Sequence, residues 1–227
     1  MKMDDKNELI GRIVSIEWEM FSSVNENESR AMCQEDRATF EGMRIAQYKA
    51  WSPETISSYL DDMEDAQKNG RNLVEEKYIH MMKTTQPTQY AALLPRAAPV
   101  SDEAMTLAGS ISEILLEQTR VLFEDYPFVS GRGRPLYSMQ DGADISVETY
   151  QLSELMTYPV KTLAALKDHI TALNEDGKSL ARMILENTVS FYGYKSLDEA
   201  EASIRERAGN QSIHFTFGCC AGGSCDS

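Results

Sequence analysis

Histidine is scarce in this chain: His80, His169 and His214 are all there is. None follows a glutamate by three residues, so the paired Glu-x-x-His motifs of a carboxylate-bridged dimetal centre are missing, although Glu17, Glu19, Glu148 and Glu154 supply carboxylates. Ser/His/Asp catalysis has no nucleophile signal either. Basic residues are outnumbered, 22 Lys and Arg against 36 Asp and Glu, for a formal charge of −14. Phosphate binding needs clustered Lys and Arg, so this balance excludes a nucleic-acid partner and disfavours anionic membrane surfaces. No apolar run approaches the ~18 residues of a membrane span. The opening Met1-Lys2-Met3-Asp4-Asp5-Lys6 lacks the apolar stretch of a secretory signal. A cytoplasmic location with reduced thiols is the expectation.

Cysteine is nearly absent until the end. Cys33 stands alone, whereas Cys219, Cys220 and Cys225 fall within the last nine residues, in Gly218-Cys-Cys-Ala-Gly-Gly-Ser-Cys-Asp-Ser227. Glycine-rich sequence has little tendency to pack, so residues 209–227 are expected to form a flexible tail with accessible thiols. With His214 they offer one imidazole and three thiolates, a soft set suited to Cu(I), Hg(II) or As(III) more than to tetrahedral zinc. A bridge between the adjacent cysteines would be strained and easily reduced, a redox property.

The rest has helical period. Leu9, Ile10, Ile13, Val14, Trp18 and Phe21 recur at spacings of three and four. Ser52-Pro53 and Ser101-Asp102 read as helix starts, Ser196-Leu-Asp-Glu199 as a capping box, and Asn69-Gly70 as a helix end. The pattern predicts an all-α fold of about nine helices over residues 1–208. Residues 87–100, containing Pro95 and Pro99, read as a linker between two pseudo-repeats, at about 8–86 and 101–193. An offset of 107 aligns the halves, matching Glu41 with Glu148, Gln47 with Glu154, Trp51 with Tyr158, Gly70 with Gly177 and Leu73 with Leu180. Ile213 to Phe217 is the only weak strand candidate.

Two polar stretches exceed what connection requires. Asp36, Phe40, Arg44 and Gln47 share helical spacing, and Gly131-Arg132-Gly133-Arg134-Pro135 precedes Glu148, Tyr150 and Glu154. One reading is a pocket between the halves in which Arg44, Arg132 and Arg134 hold a small anionic metabolite, with Glu148 or Glu154 as base or as the residue orienting the arginines. The other is a set of ion pairs joining the halves. The glycine-arginine loop matches no phosphate fingerprint, because no strand precedes it.

Ile13-Val-Ser-Ile-Glu-Trp-Glu-Met-Phe21, Arg30-Ala-Met-Cys-Gln-Glu-Asp36, Gly131-Arg-Gly-Arg-Pro135, Glu148-Thr-Tyr150 and Glu186-Asn-Thr-Val189 together resemble the bacterial helical family called domain of unknown function 4125, over residues 8 to 203. The resemblance implies an all-helical cytosolic protein. It implies Glu17, Trp18, Cys33, Gln34, Asp36, Arg44, Gln47, Arg132, Arg134, Glu148, Tyr150 and Glu154 as motif residues. Cys219-Cys-Ala-Gly222 is similar to the cysteine-pair tail of mercuric reductase, and Gly218-Cys-Cys220 to the tails of large thioredoxin reductases, without the flavin fold of either. Three functions follow as expectations: soft-metal or redox chemistry on the tail thiols, a maturation substrate whose tail is modified by partner enzymes, or an enzyme or sensor for a small anion.

Overall fold

The computed structural model describes residues 3–24, 35–131, 133–142 and 144–210. The fold is all-α. Among the described residues there are ten α-helices and no strand: α1 (Met3–Ser23), α2 (Arg37–Lys49), α3 (Pro53–Lys68), α4 (Leu73–Thr85), α5 (Pro87–Leu93), α6 (Asp102–Asp125), α7 (Val147–Leu155), α8 (Val160–Glu175), α9 (Leu180–Phe191) and α10 (Leu197–Asn210). The helix beyond the expected nine is α5, which lies within the segment read as a linker. Pro87 occupies the first turn of α5, where its missing N–H costs nothing, and a short 3-10 turn at Leu94–Arg96 follows. The expected strand at 213–217 lies outside the described residues.

Local chemistry starts and stops these helices. Side chains of Asp36, Ser52, Asn72, Ser101, Ser146 and Ser179 each accept a hydrogen bond from a backbone N–H three residues on, satisfying a donor the first turn leaves open. Gly70 and Gly177 end α3 and α8 in the left-handed region, with φ of 67° and 69°. The two ends close alike: Arg71 N–H donates to Ala66 O at 2.9 Å, and Lys178 N–H to Leu173 O at 2.8 Å.

Packing then follows a pattern. α1 lies against α2, α3 and α4, and α6 lies against α7, α8 and α9. Between these groups α2 meets α9, α4 meets α7, and α3 meets α8. Exchanging α1–α4 with α6–α9 leaves this set of neighbours unchanged. Positions separated by 107 touch one another: the Trp51 and Tyr158 rings are 6.0 Å apart, and Gln47 Nε2 donates to Glu154 Oε1 at 3.2 Å. One apolar core, with Ile13, Ile56, Met63, Ile111, Leu163 and Ile170 fully buried, runs through both groups. A second, small cluster of Val129, Val189, Leu197, Ala200 and Ile204 seats α10. Glu201 fixes that end by accepting from the backbone N–H groups of Phe128 and Val129.

The α2–α9 contact is close because of one residue. A Cβ on Gly42 would lie 2.2 Å from the Phe191 ring, so only glycine lets the ring lie against the α2 backbone.

Candidate functional site

The interior between the two groups of helices holds a buried ionic cluster. Glu17 of α1 accepts from Arg44 of α2 through both carboxylate oxygens, at 2.9 Å from Nε and 2.6 Å from Nη2. One of these oxygens, Oε1, also accepts from the hydroxyls of Tyr48, at 2.6 Å, and Tyr59, at 3.1 Å. On its other side, Arg44 reaches Glu154 of α7 at 3.0 Å and 3.3 Å. Glu154 also accepts from Lys77 of α4 at 2.7 Å and from the Tyr158 hydroxyl at 2.8 Å. Gln47 completes the ring, accepting from Arg44 at 2.9 Å and donating to Glu154.

Side-chain exposure is 12% for Arg44, 4% for Glu17, 11% for Glu154 and 10% for Lys77. Two buried acids therefore face two buried bases, and each charge has several partners, as desolvated charges require. Burial by itself would lower the Arg44 and Lys77 pKa values, but the neighbouring carboxylates outweigh it and raise both. Glu154 shows the converse. Burial pushes its carboxyl up, yet Arg44 and Lys77 hold it well below the usual carboxylate range. Its carboxylate is held by Arg44, Lys77, Gln47 and Tyr158 and orients them about one point. Burial drives the Tyr48, Tyr59 and Tyr158 hydroxyls well above their ordinary range, so they act as neutral donors.

A cavity of about 420 Å³ opens beside this cluster, within the usual size range of small-molecule sites. Its wall is mostly apolar, with Leu115, Leu122, Phe123, Ile184 and Leu185 from α6 and α9 facing the ionic side. Tyr150 continues the polar wall outward: Lys77 Nζ lies 3.5 Å from its ring centroid and Arg134 Cζ 4.5 Å. Arg134 donates to Ile145 O at 2.9 Å and is half-buried at the rim. A second, open concavity lies outside, and it shares Phe123, Gly133 and Arg134 with the inner one.

Of the residues singled out from sequence, Arg44, Gln47, Arg134, Tyr150 and Glu154 all line the cavity. Two do not. Asp36 is exposed and caps α2 by accepting from Thr39 N–H at 3.0 Å. Glu148 accepts from Ser138 N–H at 2.7 Å, on the loop side of α7. Arg132, Cys33, Gln34, His214, Cys219, Cys220 and Cys225 lie outside the described residues. Arg44 also differs from the anion-binding role expected of it, because two carboxylates already occupy its fork. Glu17 and Glu154 lie on either side of that guanidinium. Among the described residues no three His, Cys, Asp or Glu side chains converge as metal ligands.

Sequence reasoning missed Lys77. Its signal was present: it sits three and four residues after Val74 and Leu73, and four before Met81, on the apolar face of α4. A lysine on such a face is buried and needs a partner. No helix among the described residues is long and apolar enough to cross a membrane.

A family model described as a protein of unknown function (DUF4125) matches residues 7–202, the span that the sequence motifs marked. No curated protein and no solved structure matches the chain.

Proposed function

The chain belongs to the DUF4125 family, and for this member of it we propose a binding role: a small molecule held in the cavity between two four-helix halves. The carrying observation is the cavity itself, an apolar chamber with a fully partnered charge cluster on one side. Fixed charges that need no rearrangement give such a chamber one defined polar side, the usual design of a ligand site. The reading takes α1–α4 and α6–α9 as copies of one unit. The exchangeable neighbour set, the paired Gly70 and Gly177 ends and the contacts between positions 107 apart support that view. A thermal-shift screen of apolar and amphiphilic metabolites tests it. A ligand at ~100 times its dissociation constant adds ~2.7 kcal/mol of stability. Ile184→Trp, which fills the chamber, removes that gain. Absence of any stabilising compound, or an undiminished response in Ile184→Trp, ends the reading.

A second reading rests on the sequence of the C-terminus and concerns a different part of the chain. Cys219, Cys220 and Cys225, with His214, would bind a soft metal ion or carry redox chemistry in the cytoplasm, in concert with a redox partner protein. Stoichiometric Cu(I) or Hg(II) binding by the reduced chain, lost on truncation after Phe217, supports it; unchanged binding after truncation removes it. The same thiols would serve equally as the substrate of tail-modifying enzymes that recognise the helical part. Intact mass from the native host separates the two, since an unmodified chain has a mass of 25.5 kDa.

A further inference from the structure

Among the described residues of the chamber wall the charged ones are Glu17, Arg44, Lys77, Arg134 and Glu154. Every one of them is already engaged. The Arg44 guanidinium lies between Glu17 and Glu154, and Lys77 donates to Glu154 with its ammonium over the Tyr150 ring. Arg134 donates to Ile145 O, stands over the same ring and has a further interaction besides. Asp144 lines the outer concavity beside it. Hydroxyl protons on the wall are committed too. Thr119 donates to Leu115 O, Thr157 to Glu154 O and Thr188 to Ile184 O, each at 2.8 Å and each to a carbonyl three or four residues back.

On the binding role proposed above, we infer that the ligand is a neutral, mainly apolar molecule, a ring or chain skeleton whose polar group is at most a hydroxyl. A ligand carboxylate or phosphate would find each inner cation held, and to bind one it must displace Glu17, Glu154 or the Tyr150 ring. Displacement leaves a buried carboxylate without its cation, which is strongly destabilising. An ammonium meets the converse. Glu17 and Glu154 already face Arg44 and Lys77, and a third cation beside them adds like-charge repulsion where the dielectric is low. An uncharged skeleton displaces nothing and gains from burial against Leu115, Leu122, Phe123, Ile184 and Leu185. A hydroxyl on it can donate to threonine oxygens, which keep lone pairs after their own protons are committed. An apolar cavity of about 150 Å³ holds benzene. A chamber of about 420 Å³ therefore suits the bulk of about two to three rings.

Three probes of equal chain length decide it: octan-1-ol, octanoate and octylammonium, titrated into the full chain near neutral pH with calorimetry and thermal midpoint as readouts. Octan-1-ol is expected to bind at least about tenfold more tightly than either ion. Glu154→Gln, which releases Lys77 and one side of Arg44, is expected to raise octanoate affinity by about tenfold or more and to leave that of octan-1-ol largely unchanged. Circular dichroism shows whether Glu154→Gln is folded; if it is not, the wild-type trio decides alone. Either ion binding as tightly as octan-1-ol overturns the neutral-ligand inference and leaves the chamber reading standing. A folded Glu154→Gln that binds octanoate no better than the wild type overturns it as well. Octan-1-ol binding that persists undiminished in Ile184→Trp lies outside the chamber and removes both readings. Failure of all three probes takes the chamber reading down with it.

Discussion

The corner between α2 and α3 and the corner between α7 and α8 close with the same backbone bonds and carry opposite chemistry. Ala50 and Trp51 donate to Gln47 and Tyr48 in the first; Thr157 and Tyr158 donate to Glu154 and Leu155 in the second. Yet position 44 is arginine where 151 is glutamine, and position 47 is glutamine where 154 is glutamate. The cation of one corner therefore reaches the anion of the other, at 3.0 Å. Gln151, meanwhile, donates twice to Ser112, at 3.0 Å to its carbonyl and 3.1 Å to its hydroxyl. Two like backbones divide one ion cluster between them. Fold is set by caps, glycines and apolar spacing, while polarity at the centre is free to differ.

Breaking the ionic side of this comparison gives the largest effect. Arg44→Ala leaves Glu17 buried with hydroxyl partners only, and a stability loss of about 3–5 kcal/mol in urea denaturation is expected. Gln151→Ala, the same offset in the other half, loses neutral hydrogen bonds and about 1 kcal/mol. Similar losses at the two sites would mean that the cluster contributes no more than ordinary polar contacts.

The helix ends sharpen the comparison, because there the halves are alike. Gly70 and Gly177 have nearly equal φ, and nothing lies within 4 Å of a Cβ built on either. Only backbone strain is left, so Gly70→Ala and Gly177→Ala are each expected to cost about 1–2 kcal/mol, by equal amounts. A marked inequality in their thermal midpoints would show that the two ends are not equivalent.

A smaller effect is expected at Asp62 of α3, where the other half carries His169 at the same offset. Burial raises the Asp62 carboxyl from 3.8 to about 6, against the opposing hydrogen bond from Thr162 and the charge of Lys161; Asp61 and Asp65 add to the rise. The folded chain then holds a proton between these values that the unfolded chain has lost. Stability from this group is full below about pH 4 and falls as pH rises towards 6, by about 1 kcal/mol once solvent screening of a half-buried group is counted. Asp62→Asn flattens that segment of the stability profile. A wild-type profile that rises there instead refutes the assignment.

What sequence made legible follows from range. Caps at Ser52, Ser101 and Ser196 and ends at Gly70 and Gly177 act within a few residues, so the helices they bound could be placed. The short helix α5 escaped, since Gln86 gives no side-chain cap and Pro87 reads as a breaker until its first-turn position is known. Arg44, Gln47, Tyr150 and Glu154 were found through local polar density. The pairing of Arg44 with Glu154 across the halves was one of the two readings, but Lys77 as a further partner of Glu154 was not, because 77 residues separate them. Asp36 misled for a local reason: it shares helical spacing with Arg44 but precedes the first turn, and its side chain folds back to Thr39.

The Gly42–Phe191 contact acts as a spacer of zero thickness. Phe191 ends α9, the helix whose Leu180, Ile184 and Thr188 form one wall of the chamber, while Arg44 and Gln47 of α2 stand on another. Any side chain at position 42 must displace the Phe191 ring, which is 44% exposed and can swing towards solvent. A single methyl group there would be felt first at the Phe191 tip of α9, outside the residues that line the chamber.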